Sequence, residues 1–471
     1  MRKLFLITLC APLLFGGLEN LSLNEALKLL KKNNSNIKIA RFEEKIAAFN
    51  TKIADSYNYG SLNLIFNALR SNDAGNVFGF KLQSREATFR DFGFSEFLGG
   101  VGYALQNSND FTTFKSFMTN PQLQQMLLGT APRDLNFPKA RNHFQTKLQY
   151  MVPLFTGFKL SMYKKISKSM EKMKHLEAKK IINEMIFQTK KTFYDITLVE
   201  NYIKNLQILK SNMDKLENII KNFKDEGYAK DTDVLEVQAK KAEVLSYLNQ
   251  AKLNRDLAYQ YLSFLIGEDV DTIEHTKELA PLPKEDTQKL VKKAIDYKRA
   301  KLGQKMMKMN ITLQKSGYYP MVGAFGEYGS SDNKPFNDFF DKDFYTFGAQ
   351  LKWNLFGGGK TKAEVEQAKI KYLKISEQVS LAKRGLALKI NQIKTAVKSK
   401  DYDVMAQTKQ YQLARKIYET YEAKYREGLV KISDVLIKHS EEIQVLLKLL
   451  KTKTERNEKV FELESLLDKG E

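Results

Sequence analysis

Residues 158–226 form a stretch of 69 residues without glycine or proline, and residues 360–427 form one of 68 interrupted only by Gly385. At a rise of about 1.5 Å per residue the first stretch makes a helix about 100 Å long, far beyond the diameter of a compact domain. Such helices owe their stability to packing of apolar faces more than to intrinsic propensity. Here two faces are apolar. Ile196, Val199, Ile203, Leu206, Met213 and Ile220 follow one pattern of three, four and seven residues, while Leu198, Tyr202, Leu209, Leu216, Ile219 and Phe223 follow another. A two-stranded rod needs one seam, whereas a helix in a closed cylinder needs one on each side. After Gly227 and Gly428 a second helix of about 40 residues returns, making two hairpins. On the first returning helix Val237, Val244, Ala251, Ala258 and Leu265 repeat every seven residues.

Two motifs recur at one offset. EGYAKDTDVL at 226–235 returns as EGLVKISDVL at 427–436, and PLFTGFK at 153–159 returns as NLFGGGK at 354–360, each 201 positions later. A shared offset marks a duplicated unit. Upstream, Tyr57 and Tyr59 resemble Tyr318 and Tyr319 at a larger offset, so the first copy carries an insert between Ser71 and His143. The expected organisation is a signal peptide at 1–17, a first repeat at 18–284 and a second at 285–471. The first repeat comprises helix, strand, the insert 72–143, strand and helical hairpin; the second has helix, strand, loop, strand and hairpin. The opening LSLNEALKLLKKNN reads as a helix capped by Ser22 or Asn24 and ending near Ser56.

Four segments alternate with period two. Leu62, Leu64, Phe66 and Ala68 alternate with polar residues, as do Phe144, Thr146, Leu148, Tyr150 and Val152. The clearest case is Tyr345, Phe347, Ala349, Leu351, Trp353 and Leu355. Residues 321–328 are weaker, because Glu327 and several glycines blur the faces. Each segment is about ten residues long, enough for a tilted membrane strand, although a half-buried soluble sheet alternates in the same way. The long helices that follow favour the membrane. Four strands cannot close a barrel, since barrels begin at about eight. Two copies would leave no wide channel, while three would supply twelve strands around a water-filled bore.

Arg2, Lys3, an apolar run over residues 4–15 and then Gly16 and Gly17 read as a cleaved export signal. Leu9 is too bulky for the position before a lipidated cysteine, so Cys10 does not read as a lipoprotein anchor. As the chain's single cysteine it also excludes an internal disulfide. The four histidines never show the i, i+4 spacing of a helical metal pair, and no catalytic constellation or phosphate-cradling loop is present. No enzyme, cofactor or metal function is expected. The net charge is +21, yet the lysines are scattered among acids along the helices, which reads as solvated faces and not as a nucleic-acid surface. The insert contains Phe78, Phe80, Phe89, Phe92, Phe94 and Phe97. That apolar surface should be buried, over a barrel mouth, in a lumen or on a neighbouring protomer.

The opening helix, the two strand-to-helix turns and the two helix-to-helix turns together resemble the TolC-like outer membrane efflux proteins. The resemblance implies a mainly α chain with a membrane β-barrel: long coiled-coil hairpins and four strands per protomer, in a homotrimer with a 12-stranded barrel and a periplasmic α-barrel tunnel. It implies the exit duct of a tripartite efflux or type I secretion system, set in outer membrane lipid. The tunnel would dock a periplasmic adaptor (membrane fusion) protein and an inner-membrane efflux pump or ABC transporter. Gln145, Lys147, Gln149, Gln350 and Lys352 would then face the lumen. Gly227, Tyr228, Gly428 and Leu429 would form the tip turns that meet the adaptor. Asp434 matches the family's constricting aspartate ring, with Ile437 where a second aspartate stands. Asp233 and Tyr425 match a latch whose arginine is replaced by Val430, beside Lys431. Alternatively, Asp233 and Asp434 cap the returning helices, where the helix dipole favours a carboxylate. A rival reading of the whole chain is a trimeric coiled-coil structural or adhesive surface protein without a conducting bore.

Overall fold

The computed structural model describes residues 17–468; the leader and Cys10 lie outside the described residues. The chain begins with α1 (Leu23–Asn33) and α2 (Ser35–Ser56), then β1 (Ser61–Ser71). Five short helices follow: α3 (Ala74–Gln83), α4 (Phe94–Gln106), α5 (Phe111–Thr119), α6 (Pro121–Leu128) and α7 (Arg133–Asn136). Next come β2 (Arg141–Phe155), α8 (Lys159–Asp225) and α9 (Asp231–Ile266). The order then recurs without the insert as α10 (Thr287–Lys293), α11 (Ile295–Lys315), β3 (Met321–Asp332), β4 (Asp343–Lys352), α12 (Lys360–Arg426) and α13 (Ile432–Ser465). Helices α8 and α12 are each 67 residues long.

Ser22 starts α1 as the sequence indicates. Its hydroxyl accepts from the Glu25 N–H at 3.3 Å, and the Glu25 carboxylate accepts from the Ser22 N–H at 3.1 Å, a reciprocal cap. The helix expected to run on to Ser56 is broken at Asn34. The buried Asn34 side chain accepts from the Ile37 N–H at 3.2 Å and donates to the Leu265 carbonyl at 2.8 Å, ending one helix and starting the next. In the second repeat α10 and α11 meet at Ala294 in the same way of one helix ending and another beginning.

Two compact units cut across the repeats, so that each repeat contributes to both. One comprises the described residues up to Thr51, Lys165–Asn310 and the chain from Gln367 onward; the other comprises Lys52–Lys164 and Ile311–Glu366. The first unit is helical. Leu206, Leu209, Met213, Leu216 and Ile220 of α8 are buried with Val237 and Val244 of α9, Tyr418 of α12, and Val435 and Ile443 of α13. Both seams of α8 are thus occupied within a four-helix core, which is why its apolar residues occur on two faces. A second core joins Leu21, Leu30 and Ile37 to Phe193, Leu262 and Ile266, and a third joins Leu290 and Val291 to Ile390, Val397 and Phe461.

The second unit contains one antiparallel sheet in the order β1-β2-β3-β4, with β1 and β4 as its edges. Directly paired residues lie on the same face of a sheet. Gln145 pairs with Asn67 and Ser331, Gln149 with Asn63 and Glu327, Lys147 with Gly329, Gln350 with Gly323, and Lys352 with Met321. The opposite face carries Leu62, Leu64, Leu148, Tyr328, Phe347 and Leu351, all exposed in the single chain. Glu327, which blurs the alternation in sequence, falls on the polar face. β4 stops at Lys352, so Trp353 and Leu355 lie beyond it; the Trp353 indole instead donates to the Tyr318 carbonyl at 3.1 Å.

Burial of the Phe-rich insert is realised only in part within one chain. Ala104, Leu123 and Leu127 form a small core with Phe97, Phe114 and Phe117, and Phe80 stacks on His143 at 4.2 Å. Phe89, Phe92, Phe94 and Phe111 remain exposed.

Candidate functional site

The two hairpin turns are built alike. Gly227 and Gly428 take φ of +82° and +70°, a left-handed conformation that glycine adopts without a Cβ penalty. Behind each, the chain folds back on the last helical turn: the Tyr228 N–H donates to the Phe223 carbonyl at 2.7 Å, and the Leu429 N–H to the Lys424 carbonyl at 3.0 Å. Tyr228 and Leu429, at equivalent places, are 82% and 67% exposed. The valines that follow, Val234 and Val435, are buried and fix the start of each returning helix.

Asp233 and Asp434 occupy the third positions of α9 and α13. The Asp233 carboxylate accepts from the Lys230 N–H at 2.9 Å and that of Asp434 from the Lys431 N–H at 3.3 Å. Both aspartates therefore make capping bonds, each holding one of the N–H groups that a helix start leaves without an internal partner. Tyr425 is buried with its ring 6.0 Å from that of Phe223. Burial raises its phenol pKa, and the nearby Asp233 charge acts in the same direction. Among the described residues Asp233 and Tyr425 share no hydrogen bond. Val430, at the place of the family's latch arginine, packs against the apolar core, and Ile437 is exposed.

Behind the turns lies a polar group that the sequence does not disclose. His439 and Glu442, three residues apart on α13, and Tyr418 on α12 are almost wholly buried. The Tyr418 and His439 rings lie 5.0 Å apart. Both His439 ring nitrogens, Glu442 Oε2 and the Tyr418 hydroxyl lack a hydrogen-bond partner among the described residues. Glu217 shows the contrast. Its carboxylate receives Lys221, Lys241 and Gln238 at 2.8 to 3.1 Å, and these bonds hold its pKa down at about 2. Burial instead pushes Glu442 up to about 7, with Arg415 opposing and Glu419 adding to the rise. Burial also pushes His439 down to about 4, with Glu243 opposing and Lys240 adding. Helical spacing could have flagged these residues only through their place on the buried stripe of Val435, Leu436, Ile443 and Leu446.

In the other unit, all five strand residues singled out in sequence, Gln145, Lys147, Gln149, Gln350 and Lys352, lie on one face of the sheet. Glu327 of β3 ties polar groups of β2 to its own strand: it pairs with Lys147 at 3.1 Å and accepts from Gln149. Gln145 accepts from Asn67 at 3.2 Å. Among the described residues no group of three or more His, Cys, Asp or Glu is placed to hold a metal ion.

Known proteins resemble this chain in sequence over part of its length and in fold over most of it. Residues 288–468 match the outer membrane efflux protein family. Over those residues the chain is similar to that family. The outer membrane protein TolC of Vibrio cholerae is 22% identical over 263 residues, which span 54% of this chain and 60% of TolC. The TolC-like fold is also that of solved channels. CusC superposes with a TM-score of 0.74 at 12% identity, covering 95% of this chain and 92% of CusC. The Campylobacter jejuni CmeC outer membrane channel gives 0.69 at 14% identity, covering 95% and 87%.

The unpartnered acid and imidazole behind the turns should make stability depend on pH in two opposed ways. Glu442 has a raised pKa, so its favourable contribution is complete below about 4.5 and lost as pH rises through about 7. His439 has a lowered pKa, so its contribution is complete above about 6.5 and lost as pH falls through about 4. Each change is worth up to about 3 kcal/mol. Thermal unfolding of the extracted protein across this range should show Glu442→Gln flattening the loss as pH rises toward neutral and His439→Phe the loss as pH falls. An unchanged profile in both variants would refute the assignment.

Proposed function

We propose that this chain is one protomer of a homotrimeric outer membrane channel-tunnel, the exit duct of a tripartite efflux or type I secretion system. The observation that carries the proposal is the sheet, with two open edges and an exposed apolar face opposite a polar one. An exposed edge is a template for pairing, and a spanning sheet in lipid must close so that every backbone group is bonded. Edge β1 of one copy pairing with edge β4 of the next closes twelve strands over three copies. The apolar face then meets lipid, and Gln145, Lys147, Gln149, Gln350 and Lys352 line the bore.

The helices support the same reading. Ile39, Phe42, Ile46 and Ile53 form an exposed stripe at heptad spacing on α2, and Ile370, Leu373, Leu381 and Leu388 form another on α12. Surfaces of that size on a soluble face mark interaction sites, and neighbouring protomers would cover them. The organisation proposed from the repeats is a signal peptide at 1–17 and efflux repeats at 18–284 and 285–471. In this reading the turns at Gly227, Tyr228, Gly428 and Leu429 meet a periplasmic adaptor, which links the duct to an inner-membrane pump or ABC transporter. Asp434 supplies the acidic ring at the constriction, and Asp233 with Tyr425 steadies the closed tip.

Mass measurement of detergent-extracted protein should give a trimer, and planar-bilayer recordings should show discrete conductance. A stable monomer or dimer, or a trimer that never conducts, would overturn the channel reading in favour of a closed coiled-coil assembly. Replacing Phe347 by Arg on the apolar face should impair insertion by about 2 to 4 kcal/mol near the midplane, while Gln350→Ala should be mild; folding titrations into vesicles compare them. Three carboxylates at a narrow ring attract cations, so Asp434→Ala and Asp434→Asn should both reduce cation selectivity in single-channel recordings. Asn retains an acceptor for the Lys431 N–H, so an effect of Ala alone would assign Asp434 to capping only.

A further inference from the structure

Within the sheet-bearing unit, an open cleft of about 1000 Å³ lies between the insert helices, the adjoining ends of β1 and β2, and the connection after β3. Its lining carries seven Lys and Arg side chains and two carboxylates. Three of the cations are ion-paired: Lys81 with Asp91, Arg141 with Glu86, and Arg90 with Asp134 at 2.7 Å. The other four, Arg70, Arg133, Lys139 and Lys334, are exposed and have no ion-pair partner among the described residues. Arg70 donates to the neutral Asn142 side chain at 2.7 Å, which leaves its charge uncompensated. In the wall, Arg141 Nε is buried without an acceptor.

Against these four cations stands one further lining carboxylate, Glu96, so the concavity keeps a net positive charge that raises the local potential and concentrates anions there. Guanidinium forks match phosphate oxygens in pairs, and ammonium groups act as point charges beside them. The cleft is larger than a single oxyanion requires, and Val77, Phe137 and Pro138 give part of its wall an apolar lining. We propose that this cleft binds a multiply phosphorylated anion, with Arg70 and Arg133 gripping phosphate oxygens and Lys139 and Lys334 neutralising the remaining charge. That chemistry is shared by a soluble diphosphate and by a phosphorylated lipid headgroup whose chain would lie along Phe137. The inference stands on the cleft's own side chains and does not depend on the channel reading.

The test uses the full-length protein in neutral detergent, titrated calorimetrically with inorganic pyrophosphate, and in phosphatidylcholine nanodiscs with or without a diphosphorylated glycolipid. Retention of that lipid after extraction is read by native mass spectrometry. Binding should weaken as salt rises. Arg133→Gln combined with Lys334→Gln should weaken it by about tenfold or more, whereas Lys115→Gln combined with Lys172→Gln, an equal charge loss outside the cleft's lining, should not. Pyrophosphate binding without lipid retention assigns a soluble ligand, and lipid retention lost in the Arg133/Lys334 variant assigns a headgroup; either supports the site. If that variant misfolds, Lys139→Gln, on an exposed irregular segment, carries the same comparison. Failure of both probes to bind, or equal weakening in the two double variants, overturns the proposal.

Discussion

A single copy of this chain leaves bonding capacity unused at two levels. The edge strands β1 and β4 present N–H and C=O groups that no strand among the described residues pairs, and α2 and α12 present apolar stripes to solvent. Neither deficit can be repaired by local rearrangement. Shifting a strand by one residue would exchange its faces and place Lys147 and Gln149 among leucines. Rotating α8 would expose one of its two seams. The open edges of the sheet and the exposed stripes of α2 and α12 are thus left for further pairing or packing to satisfy.

Much of this was legible from periodicity. A period of two separates the sheet faces at Leu62, Leu64, Tyr345 and Phe347, and two heptad-like seams on α8 match its buried residues. Where the reading blurred, the cause was local. Glu327 looks misplaced in an apolar strand until register sets it beside Lys147 and Gln149. The break at Asn34 passed unseen because the helical pattern continues through it, while the side chain that divides the two helices is held by Leu265, 231 positions away.

The polar groups behind the turns were less legible for a different reason. His439 and Glu442 are ordinary residues for a solvated helix, and only four-helix packing reveals that they are enclosed. The insert posed the reverse difficulty. Its phenylalanines signal burial, yet several of them stay exposed in one chain. The basic cleft beside them was hidden altogether, because Arg70, Arg133 and Lys334 converge from segments far apart in sequence.

The capping bonds at Asp233 and Asp434 restrict which amino acids can occupy those positions over evolutionary time. A residue there must carry a side-chain oxygen able to reach back to the Lys230 or Lys431 N–H, as Glu25 does to the Ser22 N–H in α1. A lysine or a leucine would forfeit the first helical turn, whatever benefit its charge or bulk brought to a neighbouring surface. Charge at these two positions is therefore free to drift between negative and neutral, through Asp, Glu, Asn or Gln, but not to positive. More positive charge at these turns would have to come from exposed neighbours such as Lys230 and Lys431, whose backbones serve the cap while their side chains remain free to vary.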